Sequence, residues 1–301
     1  MEAYDVLLSG GICCDVIFSN LKALPEYGTE IWAERLKVTV GGIFNTAAAC
    51  ARLGMKVALP CVLGTDLFST LIRETMKRER VSTAFVREAG ESFEQLSVVL
   101  NFGFERTFVS YAKDRSISFT EDHRRILQDS LARAYIVSPD PDPEVLDVMI
   151  QAKQNGTVLV MDCFTDEEVL RSEITRRQMQ IADYFLPNAK EACMITRKQT
   201  PAEAMGRLKE MTCCPIIKNG DHGVLYNSDG EIRSLDAVHF GEAIDTTGAG
   251  DNFVAGFTYG LLHEYPLEKS LRCGLLCGGK SVTAIGGFEN AIYKDELEKL
   301  L

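Results

Sequence analysis

Two hydrophobic rhythms alternate along this chain, and their alternation restricts the fold more than any single motif does. Short β-branched or apolar runs stand at Asp5–Ser9, Val57–Leu63, Ala134–Ser138, Thr157–Asp162, Asp183–Leu186, Pro215–Lys218 and Gly223–Tyr226. Between many of them lie stretches with apolar residues at helical spacing: Asn45–Leu53, Leu67–Lys77, Glu121–Ala132, Pro143–Asn155 and Ala202–Met211. A strand, a helix and a second strand close as a parallel pair, because the helix carries the chain back along the sheet face. The expected fold is therefore α/β, a doubly wound and mainly parallel sheet flanked by helices. Two parts break the rhythm. Phe18–Val40 and Ser92–Tyr111 alternate without a helix between, and QLSVVLNFGFERTFVS reads as a hairpin turning near Asn101–Glu105. Paired, these pieces make a small β-sheet lid, from about 15–40 and 92–112, over one end of a single domain spanning 1–301. No Ser/Pro/Gly linker, repeat or low-complexity stretch divides the sequence.

Composition removes several classes of function. Apolar residues are 46% of the chain, ample to offset chain entropy, so disorder is not expected. Lys plus Arg number 32 against 43 Asp plus Glu, a net charge of -11, and no basic run offers itself to nucleic acid. The longest apolar runs, such as Thr157–Met161 and Leu96–Leu100, fall far short of the roughly 20 residues that span a bilayer, so no membrane partner is expected. The start, MEAYDVLLSGG, is acidic where a signal peptide is basic, and reads as the first strand of a cytoplasmic protein. The ten cysteines read as buried reduced thiols. Cys13-Cys14 and Cys213-Cys214 are adjacent and would bridge only with strain. Cys273 and Cys277 stand four apart, but His263 is too distant to complete a zinc pattern.

The stretch richest in chemistry is Ala243–Phe257, AIDTTGAGDNFVAGF. Small residues at a helix start leave several backbone N–H groups unpaired and unobstructed, and these together with the helix dipole favour an anion such as phosphate. Asp251 falls in the first turn of that helix. A carboxylate there either removes the proton of a hydroxyl attacking the phosphate or merely complements the helix N-terminus. The residues alone leave both open. A competing pattern, Gly274-Leu275-Leu276-Cys277-Gly278-Gly279-Lys280-Ser281, satisfies G-x-x-x-x-G-K-S/T, but helical spacing runs from Leu267 through Val282 with no strand feeding the loop. Those glycines read instead as a close helix contact. Gly10 is followed by Ile12 and Asp15 where a dinucleotide fingerprint requires glycines.

DTTGAGDNFVAGF resembles, almost letter for letter, the C-terminal motif of the PfkB, or ribokinase-like, family of carbohydrate kinases. Gly41-Gly42-Ile43-Phe44-Asn45-Thr46-Ala47-Ala48 resembles that family's N-terminal motif, and Val62-Leu63-Gly64-Thr65-Asp66 its V-G-x-D. The resemblance runs over nearly the whole chain and implies an ATP-dependent kinase that phosphorylates a hydroxymethyl group of a sugar or sugar derivative. Asp251 is then the base, and the amides of Gly248, Ala249 and Gly250 the anion hole. Asn188 and Glu191 match N-x-x-E, which organises Mg²⁺ through water, although Asn188 also fits a helix cap and both roles are compatible. Asp15, Asn45 and Gly42 fall where the family holds sugar hydroxyls; alternatives are a turn for Asp15 and a helix cap for Asn45. Lys218, Gly220 and Gly223 belong to a nucleotide loop that also reads as an ordinary glycine turn, and Thr247 would join them at ATP. SVTAIGGFEN would lie beside the adenine. Asp245 and Thr247, with Ser281, Gly286 and Asn290, would shape a K⁺ site.

Departures bear on the substrate. The family's D-x-N-x-R is here Asp162-Cys163-Phe164-Thr165-Asp166, a hydroxyl residue is replaced by Lys218, and the GGKGxN form becomes GGIFN. Loss of that lysine weakens the case for a phosphorylated acceptor. Phe44, Phe93, Phe102, Phe104, Phe108 and Phe164 either line an apolar pocket or belong to the core. Arg106 either anchors an acid group or belongs to the lid hairpin. The alternatives are a nucleoside kinase of the same family and, from another class, a non-catalytic ligand-binding regulator. A homodimer through the lid edge is also compatible with the pattern.

Overall fold

The runs Val6–Ser9, Ala134–Val137 and Val158–Asp162 are apolar at nearly every position, as strands covered on both faces must be. In the computed structural model, which describes residues 3–102, 106–129, 132–164 and 166–301, they form the centre of a five-stranded parallel sheet. Its order is β11 (Tyr184–Leu186), β10 (Val158–Asp162), β9 (Ala134–Val137), β1 (Val6–Ser9) and β4 (Val57–Ala58). Alternate residues divide the core in two. Val6, Leu8, Ile136 and Val160 pack on one side with Phe44, Phe257 and Leu276. Leu7, Tyr135, Val137 and Leu159 pack on the other with Val148, Met149 and Met205. Parallel bridges Phe185↔Pro215 and Asn188↔Lys218 carry the pairing on to an antiparallel trio, β12 (Ile216–Lys218), β13 (Val224–Ser228) and β14 (Glu231–Leu235).

The run expected as one strand over Val57–Leu63 is two. Pro60, with no N–H to donate, divides it after β4; β5 (Cys61–Leu63) leaves the main sheet and pairs with β6 (Val86–Glu88). A separate four-stranded sheet runs β3 (Arg35–Gly42), β2 (Ile12–Ser19), β7 (Gln95–Asn101), β8 (Arg106–Ala112). It joins the two segments that lacked helices and begins at Ile12, earlier than the sequence suggests. Its register aligns Thr39, Asp15, Ser97 and Ser110 in one row. The next row, Val38, Val16, Val98 and Val109, points to the opposite face. The turn expected near Asn101–Glu105, Phe104 included, lies largely outside the described residues.

The helices Ala249–Leu262 and Leu267–Ser281 cross through small residues: a side chain on Gly256 or Gly260 would overlap Cys273 or Ser270, and one on Gly274 would press on Phe253. The G-x-x-x-x-G-K-S pattern is thus a helix–helix seam. Five of the ten cysteines are buried, but Cys213 is exposed and Cys13, Cys163, Cys193 and Cys214 are half-buried, so the expectation of buried thiols holds for half of them. Among the described residues no helix is long and apolar enough to cross a membrane.

Candidate active site

The helix Ala249–Leu262 begins at Gly248, whose φ of 74° lies in the left-handed region. A Cβ there would overlap the Gly287 carbonyl, so only glycine lets the two loops touch. Asn252 locks the contact, its Nδ2 donating to the Gly248 and Gly287 carbonyls at 2.7 Å each. The Ala249 N–H turns back to Thr246 O over 3.3 Å, and the amides that follow have no preceding helical carbonyl. They face a cleft of about 740 Å³, lined also by Asn188, Glu191, Lys218, Gly220 and Gly223, with Val238, Leu275, Gly279 and Val282 among its lining residues. Thr247, expected at the nucleotide, is instead buried, its hydroxyl donating to Asp245 Oδ1 at 2.7 Å. Its neighbour Thr246 lines the cleft and receives Arg106 Nη1 on its hydroxyl at 2.6 Å. Sequence reasoning missed Thr246, for which the DTTGAGD motif offers two equivalent hydroxyls.

Asp251 sits at the cleft floor. Asn45 Nδ2 donates to Oδ2 at 3.3 Å and Thr46 Oγ1 to Oδ1 at 3.1 Å. Burial pushes its carboxyl up to about 6, the Asp162 charge adds to this, and Lys218, Thr46 and Asn45 oppose it. The Lys218 ammonium lies against Gly250 and forms an ion pair with Asp162. Burial works against that charge, but Asp162 and Glu191 outweigh it and raise the lysine pKa. Asn188 and Glu191 form the capping box of the helix Ala189–Thr196, at 2.9 and 2.8 Å, while both also line the cleft. The oxygens of Asp162, Asn188 and Glu191 suit a hydrated Mg²⁺. Among the described residues no group of three or more His, Cys, Asp or Glu forms a ready-made metal centre.

On the other side of Asp251 lies the inner face of the small sheet. Asp15 is a strand residue, not a turn residue, and is 6% exposed. Burial pushes it up to about 6; the Cys13 thiol, donating at 3.4 Å, offsets this in part, and Glu289, Asp251 and Asp245 add to it. Gly41 leaves room for its carboxylate. Asn45 is the second residue of the helix Phe44–Arg52 and does not cap it. It is 4% exposed, and its Oδ1 has no partner. Gly42 is exposed on β3 beside it. Arg106, from β8, bridges to the anion loop through Thr246.

Other expectations need correction. SVTAIGGFEN does not run along one subsite: Val282 lines the cleft, whereas Gly287 packs on Asn45 and Glu289 lies within the electrostatic reach of Asp15. Asp245 accepts from Thr247 and from the Gly286 N–H at 3.0 Å. Ser281 Oγ donates to Gly278 O, and Asn290 Nδ2 donates to Lys280 O and Thr283 Oγ1; these contacts use donors and leave the K⁺ site proposed for these residues compatible with the structure. Phe44 and Phe93 are core, Phe44 standing edge-on to Phe288 at 5.2 Å. Phe108 and Phe164 remain 51% and 41% exposed, with Phe164 on the cleft wall.

Known proteins share this architecture. The chain is 26% identical over 310 residues to a ribokinase of Mus musculus, covering 98% of this chain and 94% of the mouse protein. An Arabidopsis thaliana ribokinase solved with ribose and ATP superposes with a TM-score of 0.83 at 20% identity, over 99% of both chains. An adenosine kinase of Sinorhizobium meliloti does so with a TM-score of 0.84 at 19% identity, over all of both. Residues 6–291 match the pfkB family carbohydrate kinases, and the chain belongs to that family.

Proposed function

We propose that this kinase transfers the terminal phosphoryl of ATP to a hydroxymethyl group of a sugar or sugar-like acceptor, with Asp251 as the base. The observation that carries this reading is Asp251 itself, half-buried in the first turn of a helix whose leading amides face the cleft. Its carboxyl, at about 6, is ionised at neutral pH yet basic enough to take a proton as the alcohol attacks. Gly248, Ala249 and Gly250 cradle the charge that develops on the phosphoryl. Lys218, kept cationic by Asp162 and Glu191, supplies positive charge beside Gly250. A Mg²⁺ near Asn188 and Glu191 would neutralise phosphate charge. Asp15, Gly42 and Asn45 hold acceptor hydroxyls, and the small sheet acts as a lid that Arg106 ties to the anion loop, excluding water.

A nucleoside acceptor is the second reading, favoured by the exposed rings of Phe108, beside Arg106, and of Phe164, on the cleft wall, which suit a stacking base. The lid's outer face supports pairing with a second copy. Leu36, Val38, Val109 and Tyr111 are exposed on one face across both edge strands, and a single apolar patch is self-complementary about a two-fold axis. Light scattering on the wild type and on Val109→Asp tests it: a dimer that the charge dissolves is expected. Ten free thiols suit a reducing cytoplasm. The activity is tested by a coupled ADP-release screen over ketoses, aldoses, sugar acids, sugar phosphates and nucleosides. Acceptor-dependent ADP is expected. Acceptor binding without ADP from any of them would leave a ligand-binding regulator.

A further inference from the structure

We infer that Glu289 is a specificity-determining residue of the acceptor site, and that with Asp15 it admits uncharged polyhydroxyl acceptors and turns away those bearing phosphate or carboxylate. This rests on the kinase reading for where the acceptor lies. The placement of Glu289 is built, not incidental. Arg52 Nη1 donates to the carbonyls of Phe288, Glu289 and Ala291 at 2.9, 3.2 and 3.2 Å, and its Nε pairs with Glu79 at 2.9 Å. Arg52 closes the same helix that carries Asn45 and Thr46. The C-terminal loop is therefore bolted to the element that contacts Asp251.

Two adjacent glycines then set the floor. A side chain on Gly286 would overlap the Glu289 carboxylate, and one on Gly287 would overlap the Asn45 amide. The carboxylate lies over Gly286 and the amide over Gly287, so the two glycines let these side chains stand as neighbours close against the backbone. Glu289 is also the charge felt most strongly by Asp15 on the facing strand. Asn45 adds an independent sign of a ligand, because its Oδ1 is buried with no partner. A buried acceptor oxygen without a donor is costly, and an acceptor hydroxyl is the donor this position lacks.

Charge decides which acceptor fits. Glu289, Asp251 and Asp245 all act on the carboxyl of Asp15 as like charges. The nearby cations are already engaged: Lys37 of β3 lies 3.7 Å from Glu289 Oε1, Lys218 pairs with Asp162, and Arg106 donates to Thr246. Hydroxyls donate readily to carboxylates, whereas an anion among them meets like charge in a partly buried site.

The test compares D-ribose, D-fructose and adenosine with D-fructose 6-phosphate and D-gluconate, by ADP release and by calorimetric binding, in the wild type, Glu289→Gln and Lys37→Met. In the wild type at least one neutral probe should exceed both anions at least 100-fold in kcat/KM and bind more tightly. Glu289→Gln keeps the shape and removes the charge, so it should raise KM for that probe about 10-fold with kcat and the KM for ATP unchanged. Its discrimination against the anions should shrink about 10-fold. Neutral binding with this selectivity but no ADP would sink the kinase reading and leave the inference standing. Three results overturn it: tighter binding of an anion lost in Lys37→Met, unchanged selectivity in Glu289→Gln, or no binding of any neutral probe.

Discussion

The two sides of Asp251 are made of different material. Toward the cleft, the end proposed for the phosphates is mostly backbone: one short loop and the first turn of one helix, held by Asn252 and balanced by the Lys218–Asp162 pair. Toward the small sheet, the end proposed for the acceptor is made of side chains from distant segments: Asp15 on β2, Asn45 on the first helix, Arg106 on β8 and Glu289 near the C-terminus. Backbone amides offer the same donors whatever the neighbours, so a phosphate site needs only glycines and a helix start. An acceptor site reads individual hydroxyls and must be assembled from groups chosen one at a time. Phosphate chemistry can therefore stay fixed while the acceptor end varies.

If that division is real, substitutions on the two sides should change different kinetic constants. The largest effect is expected for Asp251→Asn, which keeps the shape of the side chain but removes its basicity: kcat should fall by about 10³-fold or more. Acceptor affinity should stay within several-fold, and ADP-release kinetics with calorimetry checks both. Retention of most of the turnover would take Asp251 out of the base role. Next in size is Asp15→Ala. Losing hydrogen bonds to a charged group costs about 1.5–3 kcal/mol, so the acceptor KM should rise about 10- to 100-fold with the KM for ATP unmoved. A comparable rise in the KM for ATP would break the division.

The same contrast explains what could be read in advance. The alternating strands and helices, the short parallel core and the DTTGAGD loop are local patterns, and each falls where its residues imply. Misreadings arose where geometry, not local pattern, decides. Thr246 and Thr247 are indistinguishable as letters; the turn at Asp245 sends one into the core and the other into the cleft. Pro60 interrupts an apolar run that composition alone presents as continuous. Asn45 reads as a helix cap or a ligand contact, and only the start of the helix at Phe44 separates them. Glu289 carries no signal beyond the Gly286-Gly287 pair before it, because its neighbours Asp15, Asn45 and Lys37 are remote in sequence.

A smaller effect is expected at the phosphate end. Removing Lys218 alone would leave Asp162 unpaired in a partly buried site, a cost unrelated to ATP. The double variant Lys218→Met with Asp162→Asn removes both charges together. It should raise the KM for ATP about 10-fold, the worth of one charge-assisted contact, and leave acceptor binding unchanged. Thermal denaturation should show the double variant close to the wild type and Lys218→Met well below it.

The smallest effect separates Asp15 and Asp251 most sharply. Asp15 and Asp251 each rise from 3.8 to about 6, so between pH 4 and 6 the folded protein holds more protons than the unfolded chain. Stability therefore declines as pH climbs through that window, and the full cost is present above it. A shift of this size is worth at most about 3 kcal/mol, and for Asp251 it already includes the opposing contacts from Asn45 and Thr46. Asp251→Asn and Asp15→Asn should each raise Tm by about 2–4 °C at pH 7.5, and the gain should vanish near pH 4. Their kinetics should differ. Asp15→Asn should keep the fall in kcat below about pH 6 that reports Asp251, while Asp251→Asn should leave its residual rate flat there. An acid limb that disappears in Asp15→Asn would move the base to the lid side and undo the division drawn between the two ends.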